Sequence, residues 1–502
     1  MSAKYTFHIT VALAAVVLLA GCAVGPDFRR PTLPAAAGYT AQPMKNISSV
    51  DNMPGGGGQR FVVGKDIPQK WWELFKSKPL KALIEKSLKS NPTMDAAKAA
   101  LRQAHENVLA QRGYYYPTVQ AGFSAARAKD SGAISPVPSN NQEPYSLHTA
   151  QVNVSFTPDV FGGNRRQVES LKAQEDFERF QLEAAYLALS SNVAAAAIQE
   201  ASLRSQISAT GNIIKIETEM LGQLRRQFEL GYTAGLDVAA QEAALAQVKQ
   251  TLPPLQNQLA QTRDLLIALA GRFPNEELDE KFELVALELP QELPLSLPSK
   301  LAEHRPDVRA AEENLHSASA QVGVAVAARL PSFPLSANLG STALEIGKLF
   351  SSGTGFWSLA GGIVQPIFDA GTLKHRQRAA EAGLDQAAAE YKSTVIAAFQ
   401  NVADTLHALE SDADTLKAAS DFEKASKRSL DLANKQFELG YVNYLSLLSA
   451  EQSYQQAEIN LIQAKASRFT DTAALFMALG GGWWNGPDLA LAEQGFKGAG
   501  GK

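Results

Sequence analysis

The sequence predicts a mainly α-helical chain with a small amount of paired β-structure, built as two tandem halves. Three observations carry that fold class. Two long runs lack proline, from after Pro158 to Pro253 and from after Pro366 to Pro487, and each has room for a helix of unusual length. The hexapeptide QFELGY occurs at 227–232 and again at 436–441. The spacing between landmarks also repeats: Asn91-Pro92 to Pro117 recurs as Arg305-Pro306 to Pro331. Self-similarity on this scale marks a duplicated structural unit.

Composition narrows the function classes. The hydrophobic content of 45% and charged content of 20% are ordinary for a folded chain. A formal net charge of −4 provides no polybasic footprint for nucleic acid. Seven histidines and scattered acids suggest no metal site. Cys22 is the single cysteine, which excludes an internal disulfide.

Cys22 also points to a compartment. Residues 1–21 have a weakly basic start at Lys4, an apolar core from Ile9 to Ala20 and small residues before the cysteine. That is the pattern of a signal peptide, and it is too short for a spanning helix. Leu19-Ala20-Gly21-Cys22 resembles the bacterial lipobox, which implies cleavage before Cys22 and lipidation of its thiol, with palmitate as the expected chain type. Ala23, rather than Asp, follows it, as in lipoproteins sorted to the outer membrane. No other stretch approaches the roughly 20 apolar residues of a spanning helix, so a membrane crossing would require a closed β-barrel.

The extension at 22–78 is rich in Pro, Gly and Ala, carries GGGG at 55–58 and lacks apolar periodicity, so it is expected to run extended over a surface. Trp71, Trp72, Leu74 and Phe75 form a small apolar anchor. From Pro79 to about Tyr115 the pattern is helical, with Leu80, Leu83, Ile84 and Leu88 on one face and Pro117 as the stop. Two strand-like pieces follow. Val119, Ala121, Phe123 and Ala125 alternate with polar or small residues, as do Val152, Val154 and Phe156. This period fits a half-buried soluble sheet or the wall of a water-filled barrel. Taken alone, it favours the soluble sheet.

From Gly163 to Leu230 the chain reads as one helix, roughly 100 Å long at about 1.5 Å per residue. Its a and d positions run Leu189, Val193, Ala196, Glu200, Leu203, Ile207, Thr210, Ile214, Glu217, Leu221, Leu224 and Phe228. Glu200, Thr210 and Glu217 break an otherwise apolar stripe, whose narrowness suits a coiled-coil partner. Gly231 is the expected helix stop. Asp237 falls in the first turn of the next helix, where its charge suits the positive dipole end. Pro253-Pro254 should interrupt and kink that helix, which ends near Gly271.

A proline-rich connector at 272–298 leads into the second half. Strand pieces recur at Phe333, Leu335, Ala337 and Leu339, then at Trp357, Leu359, Gly361 and Ile363. A second long stripe runs Val395, Phe399, Val402, Leu406, Leu409, Ala413 and Leu416, shifts register near Ala419–Phe422, and resumes through Leu430, Ala433 and Phe437. The expected division is a signal peptide at 1–21, the extension at 22–78, repeats at 79–271 and 299–480 around the connector, and a tail at 481–502. One chain then has four strands. About eight are the minimum for a barrel, so closure needs several chains in a symmetric assembly.

The lipobox, GPDFRRP (25–31), WWELF (71–75), LPSKLAEHRPDV (297–308), VQPIFDAG (364–371) and QFELGY…LSLLSAEQSY (436–454) resemble the TolC/OprM-type outer-membrane efflux proteins, in their lipoprotein branch. The resemblance covers essentially the whole mature chain. It implies a homotrimer with a 12-stranded β-barrel in the outer membrane, continued by a 12-helix α-barrel through the periplasm. It also implies a belt formed by connector and termini. The implied activity is passage of small toxic solutes, with a contribution to multidrug resistance, and involves no enzyme chemistry or cofactor. The implied partners are a periplasmic adaptor (membrane fusion) protein, an inner-membrane pump of the RND type and outer-membrane lipid. The family's adaptor grooves correspond to the tip glycines Gly231 and Gly440. Its acidic gate residues correspond to Ser446 and Ser449, and both departures remove charge. Asp237, the repeat-mate of Ser446, is the nearest acidic gate candidate, with a plain first-turn helix charge as its other reading. Trp357 and Phe356 are candidates for a membrane interface.

Other readings are weaker. A structural coiled-coil lipoprotein without transport activity would have heptads and a lipobox but no need of paired strands. An enzyme needs a convergent site; His375 has no ligand partner at helical spacing, and His304, before Arg305-Pro306, reads as a surface residue at a helix boundary. The GGGG run lacks the Lys of a phosphate loop and reads as a linker. The basic cluster Lys374, His375, Arg376 and Arg378 reads equally as a lipid-headgroup contact or as a solvated face.

Overall fold

A computed structural model of the chain describes residues 23–32, 38–40, 47, 53, 55–129, 131 and 144–486. Cys22 and the signal peptide lie outside the described residues, as does most of the C-terminal tail. The helices are α1 (Lys78–Ser90), α2 (Pro92–Arg112), α3 (Gly163–Glu229), α4 (Gly235–Leu269), α5 (Pro298–His304), α6 (Pro306–Ala327), α7 (Thr372–Glu438) and α8 (Tyr444–Ala478). The strands are β1 (Arg60–Val63), β2 (Thr118–Ala128), β3 (Tyr145–Phe156), β4 (Glu292–Leu295), β5 (Leu335–Ala343) and β6 (Gly355–Gly361). The two halves repeat to the residue in their main elements: α3 and α7 each have 67 residues, and α4 and α8 each have 35.

Three expectations need correction. The helix expected from Pro79 to Tyr115 is two helices broken at Asn91, which is extended (φ −75°, ψ 125°). Pro92 clashes with a helical conformation at the residue before it, and the same break occurs at Arg305 before Pro306. Pro253-Pro254 do not interrupt α4, which runs through both. The extension and connector are not wholly irregular, because β1 pairs in parallel with β4.

The chain forms two compact units that do not coincide with the sequence repeats; each takes parts of both. The first comprises residues 1–31, 100–178 and 311–391 and contains a four-stranded antiparallel sheet in the order β2-β3-β5-β6. Register lines up matching faces across all four strands. Val119, Val154, Ala337 and Leu359 form one cross-strand row, and Ala121, Val152, Leu339 and Trp357 form another. The opposite face carries Gln120, Asn153, Asn338 and Ser358, with Asn338 Nδ2 donating to Ser358 Oγ at 3.1 Å.

The apolar face of this sheet is uncovered among the described residues. Val119, Leu339, Trp357 and Leu359 are all exposed, Trp357 to 77%. A half-buried soluble sheet would cover them with its own core. Both edges, β2 and β6, also lack a strand partner among the described residues. An apolar outer face with open edges suits a barrel closed by other copies in lipid. Trp357 sits on the apolar face, whereas Phe356 points to the other and packs at Gly340. None of the described helices is long and apolar enough to cross a membrane.

The second unit comprises residues 32–99, 179–310 and 392–502. Its aromatic core joins Trp71 and Phe75 to Phe469 and Phe476, so the WWELF anchor packs against the last helix. Arg468 is fully buried and donates to the carbonyls of Gly55 (2.8 Å) and Gly57 (2.6 Å), which fastens the glycine run to α8. The two halves use matching joints. Asn91 Nδ2 donates to Leu269 O at 2.9 Å, and Arg305 Nη1 donates to Ala478 O at 3.0 Å. Gly271 and Gly480, both at positive φ, lie against the carbonyls of Ser90 and His304, where a Cβ would collide.

Candidate functional site: the hairpin tips and their buried polar seam

Each QFELGY segment ends a 67-residue helix in the same way. Gly231 has φ +80° and Gly440 φ +76°, in the left-handed region that glycine adopts without strain. Tyr232 N donates to Gln227 O and Tyr441 N to Gln436 O, both at 2.8 Å. Gly231 N donates to Phe228 O and Gly440 N to Phe437 O, completing a Schellman stop at each tip. The sequence-predicted glycines are therefore structural turn residues with open space around them.

Sequence reading missed the apolar residues flanking those glycines. Leu230 and Leu439 are each 69% exposed, and Tyr232 and Tyr441 are exposed to a similar degree. Leu236 and Leu445 extend the exposed apolar surface into the next helix at each tip. Apolar surface repeated on two tips is a feature that soluble surfaces avoid unless a partner covers it. The signal was present in the duplicated hexapeptide, but burial was not readable from sequence.

Behind the tips the two hairpins pack on each other. Leu224 of α3, Ala244 of α4 and Tyr444, Leu447 and Leu448 of α8 form one core, with Phe437 and Leu430 of α7 against it. Ser446 and Ser449 are exposed at this end of α8. The Ser446 hydroxyl donates to Asn443 Oδ1 at 2.8 Å, and Asn443 caps the helix by accepting from Ser446 N. Asp237 is half-buried and accepts from the Thr233 hydroxyl at 2.8 Å. The side-chain hydrogen bonds of Asp237 and Ser446 thus stay within their own turns.

The acidic residues that do converge lie deeper. Glu217, one of the three stripe breakers, is buried on α3 and accepts from Gln241 Nε2 of α4 and from Gln455 Nε2 of α8 (2.6 Å). Tyr444 Oη donates to Gln241 Oε1. Glu451 of α8 is 6% exposed, and its Oε2 has no hydrogen-bond partner. Burial, then the nearby Glu217 carboxylate, pushes the Glu451 carboxyl from an ordinary 4.5 up to about 7. Burial likewise pushes the Tyr444 phenol up, with Glu451, Glu217 and Asp237 adding to the effect. The result is a polar seam joining α3, α4 and α8 in an otherwise apolar interface. Glu200, a second stripe breaker, is also buried and held by Arg204 (2.7 Å) and by Arg263 of α4 (2.8 Å). Arg263 continues to the connector, donating to Leu278 O at 2.9 Å. No cluster of three or more metal-ligating side chains exists among the described residues.

A repeated two-strand, long-hairpin chain with an uncovered apolar sheet face belongs to the class of outer-membrane channels that pair membrane strands with long periplasmic helices. Comparison with known proteins agrees. The model of the family described as outer membrane efflux protein matches at residues 83–272 and 297–481, once per half. The chain belongs to the outer membrane efflux protein family. It is 30% identical over 477 residues to the probable efflux pump outer membrane protein TtgC of Pseudomonas putida, covering 93% of this chain and 94% of that protein. The antibiotic efflux pump outer membrane protein ArpC of Pseudomonas putida matches equally well, at 30% identity and the same coverage.

Solved structures give the same fold. The outer-membrane channel OprN matches with a TM-score of 0.81 at 27% identity, over 92% of this chain and all of that one. The Neisseria gonorrhoeae MtrE outer membrane channel, solved in an open state, matches with a TM-score of 0.77 at 28% identity, over 92% and 99% of the two chains. The fold class is therefore the trimeric outer-membrane channel fold expected from the sequence, mainly helical with membrane β-structure and two tandem repeats. The chain is an outer-membrane channel component of a tripartite efflux system, and the structural coiled-coil alternative is not favoured.

Proposed function

We propose that three copies of this chain close one 12-stranded barrel, anchored by acylated Cys22, and that the two hairpin tips of each copy dock a periplasmic adaptor. Solute delivered by an inner-membrane pump of the RND type then leaves by passage through the tunnel, with no chemistry on the way. The observation that carries this reading is the repeated tip, where Leu230, Gly231 and Tyr232 are matched by Leu439, Gly440 and Tyr441 with the same backbone turn and the same exposure. Six such tips per trimer would present a regular apolar rim to a partner. The relatives named for toluene and antibiotic efflux support small, hydrophobic, toxic solutes as cargo. In the same reading, residues 22–78 and the connector at 272–298 form a belt around the repeats at 79–271 and 299–480, ahead of the tail at 481–502. Asp237, Ser446 and Ser449 lie near the pore end, with the Glu217–Glu451 seam holding the hairpins together behind them.

Deletion of the gene tests this, with susceptibility measured against a panel of solvents, dyes and antibiotics. The expected result is increased susceptibility to hydrophobic compounds, restored by the wild-type gene and not by one lacking the four residues Leu230, Tyr232, Leu439 and Tyr441. Unchanged susceptibility across the panel, or full rescue by the tip variant, would contradict the proposal.

A further inference from the structure

The first residues of the described chain are fastened firmly at one place in the first compact unit. Val24 N donates to Phe161 O at 3.1 Å, and Val24 O accepts from Arg166 Nε at 3.1 Å. Arg166 is buried and also donates to Asp27 Oδ1 at 2.7 Å. Two glycines admit the strap. A Cβ on Gly162, which has φ +76°, would lie 2.7 Å from the Ala23 Cα, and a Cβ on Gly323 would lie 2.9 Å from Val24 O. Phe28 stacks on His316 at 4.3 Å, so the strap stays against α6 beyond the clamp.

Beside that clamp is a cleft of about 350 Å³. It opens where β3 leads to α3, where α6 leads to β5 and where β6 leads to α7. Its walls include Val160, Phe161, Val324, Leu330, Val364 and Pro366. The volume is within the range of small-ligand sites, roughly 300–1,000 Å³. The lining is mostly apolar. Its one charged side chain, Asp159, is already engaged, accepting from Asn164 N at 3.0 Å and from Arg165 N at 2.8 Å. Ala23 is the residue bonded to Cys22 in sequence. Ala23 touches Gly162, the residue between Phe161 and Gly163, and both of those line the cleft. The residue next to Cys22 in sequence therefore stands at the cleft's rim.

We propose that this cleft seats the acyl chain carried by Cys22. The inference rests on the lipoprotein reading and adds a site to it. The lipid then does more than tether the chain to a membrane. It packs across three chain connections at the end of the sheet and completes the local core that the strap begins. An apolar cleft left to water would be unfavourable, and the chain's own lipid is an apolar group attached one residue before the clamped Ala23 and Val24.

The test uses full-length protein made in cells fed a palmitate analogue with a chain-end diazirine and an alkyne handle. The intact protein is purified in detergent, irradiated and mapped by peptide mass spectrometry. The expected result is a labelled N-terminus whose cross-links fall on peptides containing 157–163 and 324–332, and loss of those cross-links in Val324→Trp and Val364→Trp, with acyl labelling and trimer retained. A second arm replaces the lipoprotein signal with a cleavable secretory signal and Cys22 with Ala, and supplies the same photolipid free in vesicles. Cross-links in the cleft at undiminished yield in that arm would assign it to bilayer lipid and overturn the proposal. A labelled N-terminus that cross-links only detergent or the apolar strand face would overturn it while leaving the lipoprotein reading intact. Absence of label at the N-terminus would overturn both.

Discussion

Glu451→Gln should tighten the hairpin seam at neutral pH and remove its dependence on pH. The Glu451 carboxyl is buried, its Oε2 lacks a partner, and burial with Glu217 moves it from 4.5 to about 7. Below about pH 4.3 it is protonated whether the seam is packed or open, and nothing is lost. As pH rises toward 7 the open form ionises while the packed form keeps its proton, so packing weakens by about 1.4 kcal/mol per pH unit. The stabilisation present in acid is lost by about pH 7, a total of about 3 kcal/mol per chain for a shift of this size. Above that pH Glu451 is charged in both forms and the dependence flattens. Glutamine keeps the shape and cannot ionise. Hydrogen exchange of α8 amides around 444–455, corrected for intrinsic rates, reads the opening directly. Wild-type protection should fall roughly 10²-fold from pH 4.5 to 7.5, and that of Glu451→Gln should stay level at the acid value. A flat wild-type profile, or a variant that follows the wild type, would refute the reasoning.

Three other outcomes follow from the same geometry. Gly231→Val and Gly440→Val each force a branched residue to positive φ at a cost of about 1–2 kcal/mol, with open space around the new side chain. They should leave the assembled protein intact by gel filtration while lowering solute efflux, and normal efflux in both would count against docking at the tips. Gly271→Ala adds a collision with the Ser90 carbonyl to similar backbone strain, so it should destabilise by an extra ~1–3 kcal/mol and lower the thermal midpoint more than Gly231→Ala does. Equal midpoints would show that the joint is looser than drawn. Cys22→Ser should abolish incorporation of a labelled fatty acid; unchanged incorporation would place the lipid elsewhere.

Much of the fold was legible because the long helices write their partners into a seven-residue period. Val193, Leu203, Leu224, Val402, Leu406 and Leu416, all assigned to the stripes, are buried. The helix stops at Gly231 and Gly440 were readable because only glycine takes positive φ there cheaply. The strand faces were visible as a period of two, but the environment was not. Val119 and Leu359 look the same in sequence whether a soluble core or lipid covers them. The site was legible only in part. Glu217 stood out as a stripe breaker, but nothing local linked it to Gln241, Gln455 or Glu451, which reach it from other helices. Glu451 lies in a run of polar residues and reads as solvated until the packing of α8 buries it. Pro253-Pro254 misled in the opposite sense, since a helix held by partners absorbs prolines that would break it in isolation.

The account depends most on the four-stranded sheet being one third of a barrel. Among the described residues, nothing covers its apolar face and its edges β2 and β6 have no strand partner. Native mass spectrometry of the protein extracted from outer membranes in detergent measures this directly. The predicted result is a complex of three chains, each beginning at an acylated Cys22, that aggregates when detergent is withdrawn. A monomer that stays soluble without detergent would contradict it.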